Sequence, residues 1–351
     1  MLSKAGFFLA KEKFKMKYVY VLTSTEKDLY YEQCLMSVFS LRHYMSEAEI
    51  VILTDNKTFE TFTGKREEIK KYVSDIVSVD FPETAGNVER SRVLKTTIPE
   101  HIKGDFLFID CDTIICESLS DIEKIDYPVA AVLDGHVPLS EHKHKDYFLK
   151  REKKMHYTGT AKQGFHINSG VILYRDGEKS REFFKKWHEL WEYSFRVKHD
   201  HHDQGAFNEA FYNCGFGDTQ LSGIWNCQIS QGGLEFLEHA KIIHYFSSEA
   251  AGKNYISYYK LADKSIQQRI KEAGSIPEDI QKMILNPKFQ FTKVHLLNDK
   301  RIIPVLQSPL IFTLAEMKTK VPLVFNILES IVGGTRGLAK KLLKRLNKTV
   351  R

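Results

Sequence analysis

Cysteine is scarce in this sequence, and its spacing excludes two common structural uses of the residue. The chain of 351 residues has five cysteines, an odd number without a Cys-x-x-Cys pair: Cys34, Cys111, Cys116, Cys214 and Cys227. A zinc ribbon needs closely spaced thiolate pairs, and a disulfide framework needs an even set. We therefore expect free thiols and a reducing, cytoplasmic compartment.

Long apolar runs are also missing. A helix that spans a bilayer needs about 20 consecutive apolar residues, and no run in the sequence has that length. The short apolar patch at residues 6–10 is too brief for the core of a signal peptide. We expect residues 1–15 to be an N-terminal tail, or translation to begin at Met16.

A large excess of one charge sign is absent as well. The formal net charge is +6, with 27% charged and 42% hydrophobic residues. This balance is typical of a chain with a substantial core, and it suits an anionic small substrate or an anionic membrane surface. It gives no reason to expect a nucleic-acid partner.

Apolar segments with strand character alternate with helical segments over the first two thirds of the chain. The strand-like segments are residues 18–23, 49–54, 76–79, 106–109, 129–133, 169–174 and 241–245. This alternation predicts an α/β fold with a Rossmann-like, mostly parallel central sheet and helices on both faces. In such sheets ligands bind at the carboxyl ends of the strands.

Two helical faces stand out in the pattern. Residues 31, 35, 38, 41 and 45 share one apolar face, and residues 183, 184, 187, 190 and 191 form an aromatic one. We interpret the aromatic face as core packing and not as a cofactor site. Residues 16–255 are expected to form the catalytic domain, followed by a helical C-terminal region over residues 256–351.

The end of the chain is basic and amphipathic. Leucine, isoleucine and valine alternate with lysine and arginine over residues 322–350. A basic amphipathic helix can lie on an anionic membrane surface. The alternative is a packed terminal helix with solvated lysines. We expect peripheral membrane contact as one use of this tail.

Two aspartates, Asp110 and Asp112, directly follow the apolar segment at residues 106–109. At the carboxyl end of a buried strand, both carboxylates can approach one divalent cation. Mg²⁺ and Mn²⁺ prefer carboxylate ligands, and Mn²⁺ also accepts imidazole. Such a cation stabilises a departing diphosphate as a Lewis acid. The pair predicts a metal site for a nucleoside diphosphate, although Asp-x-Asp also occurs in ordinary turns.

Residue types that bind metals are dense in the segment His199-Asp-His-His-Asp203. Adjacent residues of a regular element point in different directions, so they rarely reach one ion together. We interpret this segment as a flexible loop beside the active site, with a second metal site as the alternative.

Five segments occur in a specific order within residues 18–255. They are Arg90 to Leu119 with Asp110-Cys-Asp112, Phe165-His-Ile-Asn168-Ser-Gly-Val, Asp203-Gln204-Gly-Ala-Phe-Asn208, Ile224-Trp-Asn226, and Lys241-Ile-Ile-His244. Together they resemble family 8 of the glycosyltransferases, which includes glycogenin and bacterial lipopolysaccharide galactosyl- and glucosyltransferases. The resemblance implies a GT-A fold and the metal-dependent transfer of a hexose from a nucleotide sugar.

Two segments depart from the family pattern. Two additional residues separate Phe165 from Asn168, so the match begins cleanly only at Asn168. The family motif Gly-x-x-Lys-Pro-Trp is represented by Gly252-Lys253-Asn254, without Pro-Trp. The phosphate contact that the family makes with its lysine is therefore not assigned to Lys253.

The resemblance implies a role for each matching residue. Asp110, Asp112 and His244 would bind Mn²⁺, with Mg²⁺ as the alternative. The implied nucleotide-sugar contacts are Thr23, Ser24, Arg92 (or Arg90), Asp110, Cys111, Asp112, Asp134, Asn168 and Gln204. Asp203 and Gln204 would lie beside the reacting carbon and are the implied catalytic residues. Either arginine alone could instead be a solvated helix end, Asp134 a turn residue, and Asn168 a strand cap.

The family retains anomeric configuration, so the resemblance implies a retaining hexosyltransferase. Retention can proceed through a covalent glycosyl intermediate or by attack and departure on one face, and both routes stay open. The implied donor is a UDP-hexose, and the acceptor is a glycan or a lipid-linked glycan. Variable residues 136–165, rich in histidine and lysine, are expected to contact the acceptor.

Two other functional classes are alternatives. A non-catalytic scaffold could keep the fold and bind a nucleotide sugar without turnover, but the complete set of matching site residues argues against it. A nucleotidyltransferase could use a similar α/β sheet. Such enzymes carry a glycine-rich phosphate loop after the first strand, whereas Thr23-Ser-Thr-Glu-Lys27 contains no glycine.

Overall fold

The computed structural model describes residues 16–246, 259–291 and 308–334. The chain divides into two compact units, Met1–Phe291 and Thr292–Arg351. The expected tail at residues 1–15 and the expected domain boundary after residue 255 lie outside the described residues. Both therefore stay predictions.

The described strands form a six-stranded sheet and a three-stranded sheet. The strands are β1 (Lys17–Leu22), β2 (Glu49–Asp55), β3 (Asp75–Val79), β4 (Phe106–Ile109), β5 (Thr113–Ile115), β6 (Val129–Leu133), β7 (Ile167–Tyr174), β8 (Cys227–Gln228) and β9 (Ile242–His244). The large sheet has the order β3-β2-β1-β4-β7-β6. Strands β1 to β4 pair in parallel, whereas β7 is antiparallel to both of its neighbours. The predicted mostly parallel sheet is confirmed.

Both faces of the large sheet are buried, because successive side chains of its strands point to opposite sides. In β4, Leu107 and Ile109 join one hydrophobic cluster, and Phe106 and Phe108 join the other. The strands are therefore apolar throughout, which is the pattern that made them recognisable in the sequence.

Helices cover both of these faces. They are α1 (Tyr30–Tyr44), α2 (Asn56–Glu60), α3 (Asn87–Thr96), α4 (Ile98–His101), α5 (Lys145–Met155), α6 (Gly159–Gln163), α7 (Glu178–Lys198), α8 (Gln204–Asn213), α9 (Lys264–Ala273) and α10 (Glu278–Ile284). Helices α1, α9 and α10 contribute to one cluster, and α3, α7 and α8 contribute to the other. The predicted apolar face of α1 is buried, and so are Phe183, Phe184, Trp187 and Trp191 of α7. The aromatic face is core packing, as predicted.

The small sheet has the order β5-β9-β8 and was only partly predicted. The sequence indicated β9, but β5 and β8 have three and two residues. Strands this short carry no periodic signal of their own. They exist because β9 pairs with β5 in antiparallel and with β8 in parallel orientation.

The second unit is helical in its described part. It contains α11 (Pro309–Lys320), and residues 322–334 are also helical. Apolar side chains of the latter segment are exposed, for example Leu323 at 74% and Ile331 at 57%. Among the described helices, none combines the length and the apolar character that crossing a membrane requires.

Candidate active site

The two aspartates of the predicted metal site lie where β4 ends. Asp110 directly follows Ile109, and its backbone N–H donates to the carbonyl of Gly170 at 2.8 Å. Strand β7 runs antiparallel to β4, so its first residues flank the carboxyl end of β4. The beginning of β7 and the end of β4 therefore meet at one edge of the sheet.

His244 reaches the aspartates through the small sheet. It is the last residue of β9 and pairs with Thr113, the first residue of β5. The backbone N–H of Tyr245 donates to the carbonyl of Asp112 at 3.1 Å. As a result, His244 Nε2 lies 3.3 Å from Asp112 Oδ1.

Asp110, Asp112 and His244 form a group with the chemistry of a divalent-metal site. One candidate ligand atom from each side chain lies within 4.8 Å of the other two. Within the three described ranges, this is the one group of at least three such side chains close enough to hold an ion. Two carboxylates and an imidazole suit Mn²⁺, and three protein ligands leave positions for other oxygens.

Burial and neighbouring charges shift the pKa values of these groups. Burial raises the pKa of Asp110, and the charge of Asp112 raises it further against the opposing effect of Lys95. Burial lowers the pKa of His244, but the nearby Asp112 carboxylate outweighs burial and the pKa is raised. The carboxylates are therefore held together at an electrostatic cost that a cation would relieve.

A buried chain of hydrogen bonds fixes the orientation of the imidazole. The Gly170 N–H donates to Asn168 Oδ1 at 2.9 Å, so Asn168 Nδ2 donates to Asp134 Oδ1 at 3.0 Å. Asn226 Nδ2 donates to the same Asn168 oxygen at 2.9 Å. Asn226 Oδ1 is thereby left to accept from His244 Nδ1, also at 2.9 Å. Because Nδ1 carries the proton, Nε2 is the nitrogen available to a metal.

Gly170 is needed for this close packing. A Cβ atom at this position would lie 2.5 Å from His244 Cε1 and 2.9 Å from Asn168 Oδ1. Both distances are below ordinary van der Waals contact, and the histidine and the asparagine are themselves held by hydrogen bonds. A side chain at residue 170 would therefore displace His244.

Two cations of α3 face a buried carboxylate across from the aspartates. Arg92 Nε lies 2.9 Å from Asp203 Oδ1, and Lys95 Nζ lies 3.8 Å from Asp203 Oδ2. Lys95 Nζ also donates to Asp110 Oδ1 at 3.1 Å. Burial raises the pKa of Asp203, but Arg92 and Lys95 together outweigh burial and lower it. Asp203 is therefore ionised near neutral pH.

Lys95 was not predicted as a site residue. It lies three residues after Arg92, so both side chains share one face of α3. That spacing is the signal in the sequence that could have identified Lys95.

Two cavities meet at the aspartates. The central cavity, of about 320 Å³, is bounded by Asp110, Asp112, Asn168, Gln204 and His244 among others. The β1 cavity, of about 270 Å³, is bounded by Thr23 and other residues after β1 and on α3. Arg92, Asp110 and Asp112 line both cavities. A ligand that bridges the two would pass the aspartates.

The two residues predicted to contact the nucleotide after β1, Thr23 and Ser24, have different surroundings. The Thr23 hydroxyl lines the β1 cavity and is buried without a hydrogen-bond partner in the described residues. The Ser24 hydroxyl instead donates to Asp28 at 2.7 Å and accepts from Arg66 at 3.0 Å. The orphaned Thr23 oxygen therefore suits a ligand contact better than Ser24 does.

The other two predicted residues of this region also differ in their surroundings. The Cys111 thiol donates to the Val21 carbonyl at 3.3 Å, and a hydrogen bond with Cys34 together with burial raises its pKa. Arg90 is buried, with Nε 3.1 Å from Asp55 Oδ1, and does not line either cavity. Of the two arginines, Arg92 is thus the one that faces the cavities.

Asp134 and Gln204 occupy different positions relative to the central cavity. Asp134 is buried behind Asn168 and does not line the cavity. Gln204 lines the cavity and begins α8, next to Asp203. The sugar contacts predicted for Asp134, Asn168 and Gln204 stay predictions.

The segment at residues 199–203 lies beside the central cavity. The Asp200 carboxylate accepts from Arg151 Nε at 2.7 Å, and the rings of His201 and His202 stack at 4.1 Å. The Trp187 indole N–H donates to the Asp203 carbonyl at 3.1 Å. No metal group of three side chains forms here among the described residues.

Lys253 lies outside the described residues. A phosphate contact is therefore not assigned to it.

A comparison with known proteins supports the resemblance found in the sequence. The sequence profile of Glycosyl transferase family 8 matches residues 21–250. Among curated proteins, none matches the chain. The likeness to solved structures is distant, so the family match carries more weight.

Two solved glycosyltransferases illustrate that likeness. One is the galactosyltransferase LgtC in complex with donor and acceptor sugar analogs, 14% identical with a TM-score of 0.47. That match covers 76% of this chain and 99% of LgtC. The other is GlyE of Streptococcus pneumoniae TIGR4, 18% identical with a TM-score of 0.44, covering 78% of this chain and 63% of GlyE.

Proposed function

Because this chain belongs to glycosyltransferase family 8, we propose that it transfers a hexose from a nucleotide sugar to a glycan or glycolipid acceptor. We propose UDP as the nucleotide, Mn²⁺ or Mg²⁺ as the cofactor and retention of anomeric configuration. The observation that carries the proposal is the position of Asp110, Asp112 and His244 at the junction of two cavities.

The donor would lie across that junction. The β1 cavity takes the nucleoside, with the free Thr23 hydroxyl as one contact. The central cavity takes the sugar. The diphosphate between them passes Asp110 and Asp112, which line both cavities. This arrangement agrees with the rule that ligands bind at the carboxyl ends of parallel strands.

Asp110, Asp112 and His244 would hold the divalent cation. When bound, the cation acts as a Lewis acid that stabilises charge on the departing diphosphate. The Asn168–Asn226 chain keeps His244 Nε2 directed at this position. Arg92, which lines both cavities, adds a fixed guanidinium near the diphosphate.

Asp203 and Gln204 would act at the reacting carbon. The Asp203 carboxylate is ionised by its pairing with Arg92 and Lys95, and its Oδ2 is buried without a hydrogen-bond partner in the described residues. An ionised carboxylate there can stabilise positive charge on the sugar ring or attack the anomeric carbon. Gln204, at the start of α8, would position the sugar.

Donor hydrolysis tests the proposal. The protein is incubated with a panel of UDP-hexoses and Mn²⁺, and UDP is measured. We expect release from one or a few donors by the wild type and a strong reduction in the Asp112→Asn variant. No release from any donor, with the variant indistinguishable from the wild type, would favour the scaffold alternative. In a parallel incubation with added pyrophosphate, formation of UTP and hexose 1-phosphate would favour a nucleotidyltransferase.

A thermal-shift measurement separates binding from turnover. A ligand that binds only the folded state raises its stability by mass action. We expect UDP to raise the melting temperature more with Mn²⁺ than with EDTA. A scaffold would show the same shift without UDP release, whereas no shift by any nucleotide would contradict both functions.

We propose peripheral membrane contact as a second property of the chain. Residues 322–334 are helical and expose Leu323, Ile327 and Ile331. The sequence that follows is basic, and its structure lies outside the described residues. Exposed apolar side chains next to lysine and arginine suit an anionic bilayer surface.

Flotation with liposomes tests this contact. We expect the full chain to float with vesicles of phosphatidylserine and phosphatidylcholine but not with phosphatidylcholine alone. Deletion of residues 335–351 should lower the bound fraction, and so should Leu323→Ser combined with Ile331→Ser. Unchanged flotation in both variants would contradict membrane contact and favour a packed terminal helix.

A further inference from the structure

One face of α5 carries a tyrosine and three cations. Tyr147, Lys150, Arg151 and Lys154 follow the spacing i, i+3, i+4 and i+7, which places them on the same side of a helix. The buried residues of α5, Glu152 and Met155, lie on the other sides of the helix. The cationic side faces outward because the other sides of α5 pack against the protein.

This face lines a cleft on the protein surface. The four side chains and residues 199–202 enclose about 410 Å³, which we name the basic cleft. Asp200 is the one carboxylate among the described residues of its lining, and it is already paired with Arg151. The charges of that pair cancel, so Lys150 and Lys154 make the net charge of the cleft positive.

Among the residues that the structure describes, Lys150 and Lys154 have no counterion. Both are exposed, and no carboxylate of the described residues forms an ion pair with either. Like charges four residues apart on a helix repel each other. An anion between the two ammonium groups would remove this repulsion.

The basic cleft opens beside the proposed donor site. Tyr147, Arg151, Asp200 and His202 line both the cleft and the central cavity. Arg151 is fixed in this shared wall, because it pairs with Asp200 and its Nη1 donates to the Tyr147 hydroxyl at 3.1 Å. Tyr147 is 55% exposed, and an exposed aromatic residue can stack on the apolar face of a sugar.

We propose that the basic cleft binds the acceptor and selects a sugar that carries an acidic group. Lys150 and Lys154 bind the anion, a phosphate monoester or a carboxylate, and Tyr147 contacts the sugar ring. The acceptor hydroxyl then enters the central cavity over the wall formed by Arg151 and Asp200. This inference rests on the proposed glycosyl transfer, since an acceptor has meaning only in that reaction.

Three sugars that differ at one carbon test the inference. Galactose, galactose 6-phosphate and galacturonic acid share the ring stereochemistry, and their affinities for the full chain are measured by NMR titration without donor. We expect an acidic sugar to bind about tenfold tighter than galactose, as two exposed ion pairs allow. The two acidic sugars distinguish phosphate from carboxylate. Equal affinities, or binding of none of the three, would overturn the inference.

A pair of double variants locates the site. Lys150→Gln with Lys154→Gln should reduce the affinity for the preferred acidic sugar about tenfold. Lys179→Gln with Lys185→Gln changes the charge equally at two exposed positions of α7 and should leave that affinity unchanged. Equal losses in both variants would show a general charge effect and overturn the assignment.

Donor hydrolysis by the wild type is measured separately. Because the sugar titration uses no donor, the two results are independent. Absence of UDP release from every donor would contradict the proposed function, whereas equal affinities for the three sugars would contradict only the acidic acceptor.

Discussion

The central cavity and the basic cleft share a wall, but their charged groups are held in different ways. Asp110, Asp203 and His244 face the central cavity and are fixed by hydrogen bonds, ion pairs or a sheet pairing. Lys150 and Lys154 line the cleft, and their ammonium groups lie at the ends of long, exposed side chains.

This contrast corresponds to two kinds of recognition. A metal ion and a diphosphate need protein ligands at fixed distances, so displacing such a ligand by one ångström reduces binding or activity strongly. Lysines on flexible stems can follow an anion whose position varies. Small substitutions in the central cavity are therefore expected to weaken binding strongly, whereas substitutions in the cleft should have weak effects.

The largest effect is expected when a metal ligand is altered. Asp112→Asn keeps the size of the side chain but removes its charge, and we expect Mn²⁺ affinity and UDP release to fall about a thousandfold. Free Mn²⁺ is measured by electron paramagnetic resonance. Asp218→Asn, at an exposed position away from both cavities, is the control. Equal Mn²⁺ binding by both variants would contradict the proposed metal site.

A single methyl group should have the next largest effect. Gly170→Ala places a Cβ 2.5 Å from His244 Cε1, so we expect Mn²⁺ affinity to fall about a hundredfold, the upper range for groups that position a ligand. The free energy of unfolding should fall by about 1–3 kcal/mol through overpacking.

Gly217→Ala is the matched control for this change. A Cβ at residue 217 meets no atom within 4 Å. If Gly170→Ala bound Mn²⁺ as the control does, the central cavity would be more adaptable than its packing indicates, and the contrast with the cleft would fail.

A more moderate effect is expected at Asn226. Asn226→Ala removes the acceptor of the His244 Nδ1–H, and we expect Mn²⁺ affinity to fall about tenfold, as is usual when the partner of a metal-binding histidine is lost. The exposed Asn213→Ala variant is the control. Isothermal titration with Mn²⁺ measures both, and unchanged affinity would show that packing alone orients the imidazole.

The smallest effect is expected in the wall of the cleft. Arg151→Gln removes the partner of Asp200, and we expect the free energy of unfolding at pH 7 to fall by about 0.5–1 kcal/mol. Arg196→Gln, at an arginine that is 60% exposed and paired with Glu192, should have a similar or smaller effect. Urea denaturation measures both.

The effect of Arg151→Gln should depend on pH. Burial raises the pKa of Asp200, but hydrogen bonds from Arg151 and from the His202 backbone outweigh burial and hold it at about 2. A carboxyl with a lowered pKa stabilises the fold above its ordinary pKa and loses that contribution as the pH falls. The difference between wild type and variant should therefore be smaller at about pH 3 than at pH 7. A constant difference would mean that the pair is not electrostatic.

Local pattern in the sequence predicted most of the fold. Continuous apolar strands such as Phe106–Ile109 identified the sheet, because strands buried on both faces have no polar alternation. The two aspartates of the metal group were also predicted. Their residue type suits a metal ion, and their place directly after a buried strand locates them at the ligand-binding edge of the sheet. His244 came only from the resemblance, because one histidine after a short strand has no pattern of its own.

The unpredicted features depend on pairings between distant segments. Strand β5 forms only because β9 lies beside it. Asn226 was recognised as part of a motif, but its bond to His244 follows from the folded arrangement of β8 and β9. Lys95 differs, because its spacing from Arg92 was visible in the sequence.

The pairing of β5 with β9 also determines when the chain can first bind metal during its synthesis. Asp110 and Asp112 leave the ribosome long before His244, and β6 and β7, the last two strands of the large sheet, are made in between. Closing so long a loop costs entropy that only a largely formed domain can compensate. A nascent chain that ends before β9 should thus fold much of its sheet yet have little affinity for Mn²⁺. Tight metal binding would mark the completion of the domain.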